Sequence, residues 1–234
     1  MDLVLNHWDN VSLEKFQSYL KSLINKDRVE WETKIINTNY PVLALGTKKV
    51  TELANKIVQG NYIEFLDANL HTFYENLSIN AIIINKIHDY DMFKFYLLRY
   101  SKFIDNWASC DCIKFPITKQ NKEKFFGLAK KLLKSKLPFE RRLGIVALLK
   151  FIDDSYIDKV LEILNSFQNE THYYVNMALA WVFCDCFIKQ PEKTKAFLEN
   201  NNLNKFVINK GISKCRDSFR ISQEDKQWLL QFKK

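Results

Sequence analysis

Apolar residues recur at helical spacing through almost the whole chain, and few residues interrupt them. In "SLEKFQSYLKSLI" the stripe is Leu13, Phe16, Leu20, Leu23 and Ile24; in "TKKVTELANKIV" it is Val50, Leu53, Ala54, Ile57 and Val58. Residues three and four apart share one face of a helix, so both stretches read as amphipathic helices. "MFKFYLLRYSKFI", "KEKFFGLAKKLLKS", "LPFERRLGIVALLKFI", "YIDKVLEILNSF", "HYYVNMALAWVFCDCFIK", "LNKFVINKGISKCRDSF" and "SQEDKQWLLQF" read the same way. "PEKTKAFLEN" places Pro191 in a first helical turn. Ser12 is expected to cap the first helix, with Lys15 where a capping box would carry Glu. Only 5 Gly and 4 Pro occur in 234 residues, too few turn-formers for a β-sandwich or barrel. About a dozen helices and no alternating strand are expected. They are short and consecutive, without a long apolar seam, which fits an all-α solenoid of stacked helix pairs better than a four-helix bundle. No linker or low-complexity stretch divides residues 1–234, so one domain is expected.

Charge is unevenly spread. Residues 1–100 carry 11 Lys/Arg against 12 Asp/Glu, and residues 101–234 carry 24 against 15. Two stretches are densest: 12 against 4 from Lys102 to Lys150, and 11 against 5 from Lys189 to the end. Lys210, Lys214, Arg216 and Arg220 fall on and just after one predicted helix. Such a half can face a polyanion, and equally it can be a solvated Lys-rich surface. The start, "MDLVLNHWDN", has no basic segment followed by an apolar run, so no secretory leader is expected. "INAIIINKI" and "GIVALLKFI" are too short to span a bilayer. A cytoplasmic protein with reduced thiols is the expectation.

Two hexapeptides rhyme: "WASCDC" from Trp107 to Cys112 and "WVFCDC" from Trp181 to Cys186. They hold four of the five cysteines. Residues two apart on a helix lie about 200° apart around the axis, which suits no common zinc site. No Cys-x-x-Cys occurs, so the cysteines are expected to bind no metal and to act as small buried hydrophobes. Trp107 and Asp111 are four apart, as are Trp181 and Asp185, so on a helix each pair shares a face. A core Trp beside a structural Asp would look the same.

"FIDNWASCD", "PFERRLGIVALLKF" and "YYVNMALAWVF", in that order and spacing, carry a resemblance. From about "LALGTKKVTELANKI" to the C-terminus the chain resembles the HEAT-like-repeat DNA alkylation repair family, the AlkD-type alkylpurine DNA glycosylases. The resemblance implies a HEAT-like, armadillo-like solenoid, here spanning residues 1–234. It makes Asp111 and Trp107 catalytic positions. Arg142, with Arg141 beside it, would contact the DNA backbone next to the lesion. Trp181 would complete the lesion-binding cleft, with Tyr173 and Tyr174 in the place of the family's aromatic pair. Asp185 matches no catalytic position of the family. "LGTKKVTE" lacks the Pro usual in the family's first repeat, and residues 1–36 match poorly.

The implied activity is a DNA glycosylase, a hydrolase removing 3-methyladenine and 7-methylguanine from double-stranded DNA. A cationic purine already leaves readily, so what remains is to stabilise the oxocarbenium character on the sugar. A fixed carboxylate does so and can orient the attacking water. Trp faces attract cations, which suits Trp107 and Trp181. Arg142 would hold a phosphate, and Lys210, Lys214, Arg216 and Arg220 would add sequence-independent affinity. Water is the co-substrate. No metal, no organic cofactor, no membrane and a monomeric state are expected. The alternative is a catalytically inactive paralogue that binds nucleic acid or protein through the same surface.

Overall fold

A helix that is apolar all round has to be enclosed by others, and the chain contains two. The computed structural model describes residues 1–234 and divides into two units, Met1–Thr118 and Lys119–Lys234. Each unit is built around one such helix. The chain holds fourteen α-helices, two 3₁₀ turns and no strand. No helix is long and apolar enough to cross a membrane.

In the first unit the helices are α1 (Asn10–Ser22), α2 (Lys26–Ile36), α3 (Gly46–Ile57), α4 (Tyr62–Asp67), α5 (Tyr74–Ile84), α6 (Tyr90–Tyr100) and α7 (Trp107–Asp111). α5, "YENLSINAIII", is the enclosed one: α3, α4, α6 and α7 all pack on it. The expected cap of α1 is corrected. The helix begins at Asn10, and Asp9 rather than Ser12 caps it, its carboxylate accepting the Ser12 N–H at 2.8 Å. A carboxylate three residues before the amide is the ordinary capping geometry, and Ser12 becomes its donor. Trp8, Phe16 and Phe65 meet edge to face at 4.9–5.8 Å, so the N-terminal segment is part of the core. Gly60 lets the backbone at Leu5 approach the turn between α3 and α4; a Cβ there would stand 2.4 Å from the Leu5 carbonyl oxygen.

The second unit contains α8 (Lys122–Leu133), α9 (Pro138–Leu148), α10 (Ile157–Asn165), α11 (Tyr173–Lys189), α12 (Pro191–Glu199), α13 (Lys205–Asp217) and α14 (Gln223–Trp228). α11 is the enclosed helix, with ten of its 17 residues buried. It packs between α9 and α13, with α10 and α12 also against it, and α8 lies against α9. Contacts at the N-terminal ends tie α9, α11 and α13 together, so the three run side by side from one end.

Gly211 sets the spacing of α11 and α13. An added Cβ would come within 2.3 Å of the Phe183 ring, which is fully buried on α11. Gly211→Ala should destabilise by about 1–3 kcal/mol through overpacking, despite the better helix propensity of Ala. Gly127, on the open side of α8 with nothing within 4 Å, should give the opposite sign. Gly127→Ala should stabilise by about 0.5–1 kcal/mol. Thermal melts of the two variants check this directly, and two shifts in the same direction would refute the packing argument.

Candidate functional site

α7 is only five residues long, so its geometry depends on what holds its ends. Asn106 is fully buried and caps it, accepting the Ser109 N–H at 2.9 Å. The Asn106 amide donates to Ser109 Oγ and to Asp105. Asp105 in turn accepts from Thr38 Oγ1 at 2.7 Å and the Asn39 N–H at 2.6 Å, fixing α7 to the end of α2. Tyr100 OH donates to the Ser109 carbonyl at 3.0 Å. Trp107 Nε1 donates to the Ile35 carbonyl at 3.1 Å, so the indole is oriented by a hydrogen bond and not by packing alone. Asp111, one turn on, is half-buried.

Trp107 lines a cleft of about 850 Å³ within the first unit. Its walls come from α2, α3, α5 and α7; Asp111 is not among its lining residues. The lip is the turn Val42–Gly46, where Ala44 and Gly46 have φ of 57° and 73°. A buried carboxylate holds that turn: Glu75 accepts from the Leu43 N–H at 3.0 Å and the Leu45 N–H at 3.4 Å. Burial pushes Glu75 above the usual carboxylate range, against the pull of these amides. Trp31, which the periodicity reading did not single out, stands 58% exposed on this cleft. The signal was in the sequence: α2 buries Ile36, and Trp31 and Ile35 fall off that stripe.

The remaining candidates belong to the second unit. Arg142 is buried on α9 and donates through Nη1 to the Tyr174 carbonyl at 2.5 Å, holding the first turn of α11. Arg141 is engaged within the fold. It forms a two-point pair with Glu170 at 2.7 and 3.1 Å and donates to the Ser135 and Lys136 carbonyls. Glu170 also accepts the Thr171 and His172 N–H groups. Burial pushes Glu170 upward, but Arg141 and these amides outweigh it and hold the carboxyl below its usual range. Burial holds His172 below the usual imidazole range. Asn176 donates to the Glu170 carbonyl and accepts from Asn204, the cap of α13, which aligns the starts of α11 and α13.

Over these helix starts runs a chain of rings. Phe139, Tyr174, Tyr173 and Phe206 meet successively at 5.7, 5.1 and 5.7 Å, and Tyr173 is 55% exposed. Trp181 lies two turns beyond Tyr174 on the one stripe of α11 that solvent reaches; Asp185 follows and pairs with Lys189 at 3.5 Å. Lys210 and Lys214 stand one turn apart on α13, in line with Phe206. Arg216 and Arg220 are exposed at and beyond its end. The second unit thus gathers Arg141, Arg142, Tyr173 and Tyr174 at one end of α9 and α11, with Trp181 further along.

The cysteines are all free thiols. Burial pushes Cys112 up to about 12, and it donates to the Ser109 carbonyl. Cys215 is hydrogen-bonded to Cys184 across α11 and α13; that bond, with Lys214 and Arg220 nearby, holds the Cys184 thiol below its usual range. No three His, Cys, Asp or Glu side chains are grouped to hold a metal ion.

The Arg141–Glu170 pair gives a pH-dependent test. A carboxyl depressed in the fold contributes stability that is present above the unfolded value and lost as pH falls through the folded one. Glu170→Gln should cost about 1–3 kcal/mol at pH 7. Its deficit against wild type should narrow once the pH drops below the 4.5 of a free Glu. Paired melts from pH 7 to 3 measure the gap, and a pH-independent deficit would show that the charge is immaterial.

The family model described as DNA alkylation repair enzyme matches residues 14–215. A search among curated proteins gave no match. The family match covers most of the chain, and the chain belongs to that family. It begins at residue 14, well before the point where the resemblance becomes legible by eye.

Proposed function

We propose that this member of the DNA alkylation repair enzymes is a glycosylase that hydrolyses the N-glycosidic bond of 3-methyladenine and 7-methylguanine in duplex DNA. One observation carries the reading: α7 is a helix too short to be stable alone, held at its start by Asn106 and the Trp107 indole and at its end by the Asn85 amide, which donates to the Cys112 carbonyl at 2.9 Å, with Trp107 at its first residue and Asp111 at its last. That outlay of buried polar contacts on five residues suits a site that needs a fixed indole and a fixed carboxylate. In this reading the helices are HEAT-like repeats.

The chemistry follows from those groups. The alkylated base leaves as a neutral purine, so no acid need protonate it. Asp111 stabilises the positive charge growing on the deoxyribose and orients the water that attacks C1′. Trp107 and Trp181 face the cationic unit. Tyr173, Tyr174, Lys210, Lys214, Arg216 and Arg220 line the path of the DNA backbone. Arg142 either reaches a phosphate beside the lesion or, as its bond to Tyr174 supports, positions the aromatic pair; Arg141 supports the same turn.

Asp111→Asn keeps the size of the side chain and removes its charge. The single-turnover release of methylated base should fall by about 10²–10³, with affinity for DNA held or slightly raised. Asp185→Asn, whose partner is Lys189, should leave release nearly unchanged. A crippled Asp185→Asn beside an active Asp111→Asn would reverse the assignment.

The second reading, a silent relative that only binds nucleic acid or protein, is favoured by the engagement of Arg141 and Arg142 inside the fold. Wild type that releases no base yet binds duplex would establish it. In either case binding should weaken steeply with salt as counterions are released, and replacing Lys210 and Lys214 together should reduce the slope of log K against log salt by about 2. Binding insensitive to salt would remove this surface from contact with DNA.

A further inference from the structure

We infer that the cleft of the first unit binds a nucleotide, its base against Trp31 and its phosphate on the basic rim. The inference goes beyond base excision and requires none. An 850 Å³ cleft is within the range that holds small ligands. Its aromatic lining is Trp31, Tyr74 and Trp107. Trp31 is 58% exposed and Ile35, one turn on, 45%, so the open wall of the cleft is an apolar patch and not a single ring. Arg28 stands over the ring at 5.5 Å, its charge paired with Glu32.

The rest of the lining has the matching polarity. Thr47, Thr51 and Asn55 from α3 supply hydroxyls and an amide that can pair with the edge of a base. Lys48, Lys86 and Lys114 are exposed at the rim. None of the three has an acidic partner, and of the two carboxylates lining the cleft Glu32 is paired with Arg28 at 3.0 Å. Glu75 is turned to the backbone of its own lip. A flat aromatic surface beside unpaired cations complements a base joined to a phosphate, and not an apolar helix or a cationic ligand. Free mononucleotide and a nucleotide in a single strand share this chemistry.

Calorimetric titration with dAMP at low salt tests it. Saturable binding is expected, weaker for adenine lacking the phosphate. Trp31→Ala, at an exposed position, should fold normally and lower dAMP affinity by about ten- to a hundredfold, the usual worth of a stacked base. Lys48→Ala with Lys86→Ala should weaken binding and flatten its salt dependence. Lys130→Ala, on α8 of the other unit, should change nothing. Single-stranded oligo(dA) that competes with dAMP assigns the site to a strand; failure to compete, with dAMP still bound, assigns it to the free mononucleotide. No saturable heat with either ligand, or a Trp31→Ala protein that binds as wild type does, overturns the proposal. Base release plays no part in these titrations, so the excision reading and this one can fail separately.

Discussion

The structure depends on enclosing two helices that are buried on most of their sides. α5 buries eight of its eleven residues and α11 ten of its seventeen. Such helices gain their stability from packing, since short helices are marginal alone. Enclosure decides where the other elements go: α3, α4, α6 and α7 around the first, α9, α10, α12 and α13 around the second. It also decides what is left for function. On α11 solvent reaches little beyond the stripe that carries Tyr174, Met177, Trp181 and Asp185.

Polar contacts then fix what packing leaves adjustable. Aliphatic faces tolerate small slides, but hydrogen bonds to buried groups do not, because an unmatched buried donor is costly. In the second unit the series Arg141, Glu170, Asn176 and Asn204 sets the starts of α9, α11 and α13 against one another. In the first, Asp105 and Asn106 do the same for α7. Both networks stand directly behind aromatic residues that reach solvent. Order at those rings is what the buried polar groups supply.

How much of this the sequence discloses depends on whether the deciding interaction is local. Periodicity exposes α1, α3, α8 and α13, whose buried stripes are narrow and regular. α5 is harder, because an apolar run such as "INAIII" has no polar side to set a period. α7 has too few residues for any period, and it is marked by the rhyme of its hexapeptide and by the resemblance. The cap of α1 shifted from Ser12 to Asp9 because both are good cap residues and the choice rests on where the chain turns. Among candidate site residues, Trp107 and Trp181 are legible as types at a spacing. The inward commitment of Arg141 is not, since its partner Glu170 lies 29 residues away. The place of Trp31 is not legible for a related reason: the cleft it lines is completed by α3, α5 and α7.

The rhyming hexapeptides show why identical letters need not mean identical roles. The first copy occupies a whole helix of five residues, so Trp107 sits where the chain enters and Asp111 where it leaves. Asp111 has no residue one turn further within that helix. The second copy begins eight residues into a helix of seventeen, and Asp185 meets Lys189 on the next turn. A carboxylate already paired along its own helix has its charge largely answered, and it gains little by facing a second cation. Asp111 ends a turn whose first residue, Trp107, is oriented through its own N–H. Position within the helix, and not the motif, gives the two Asp residues different surroundings.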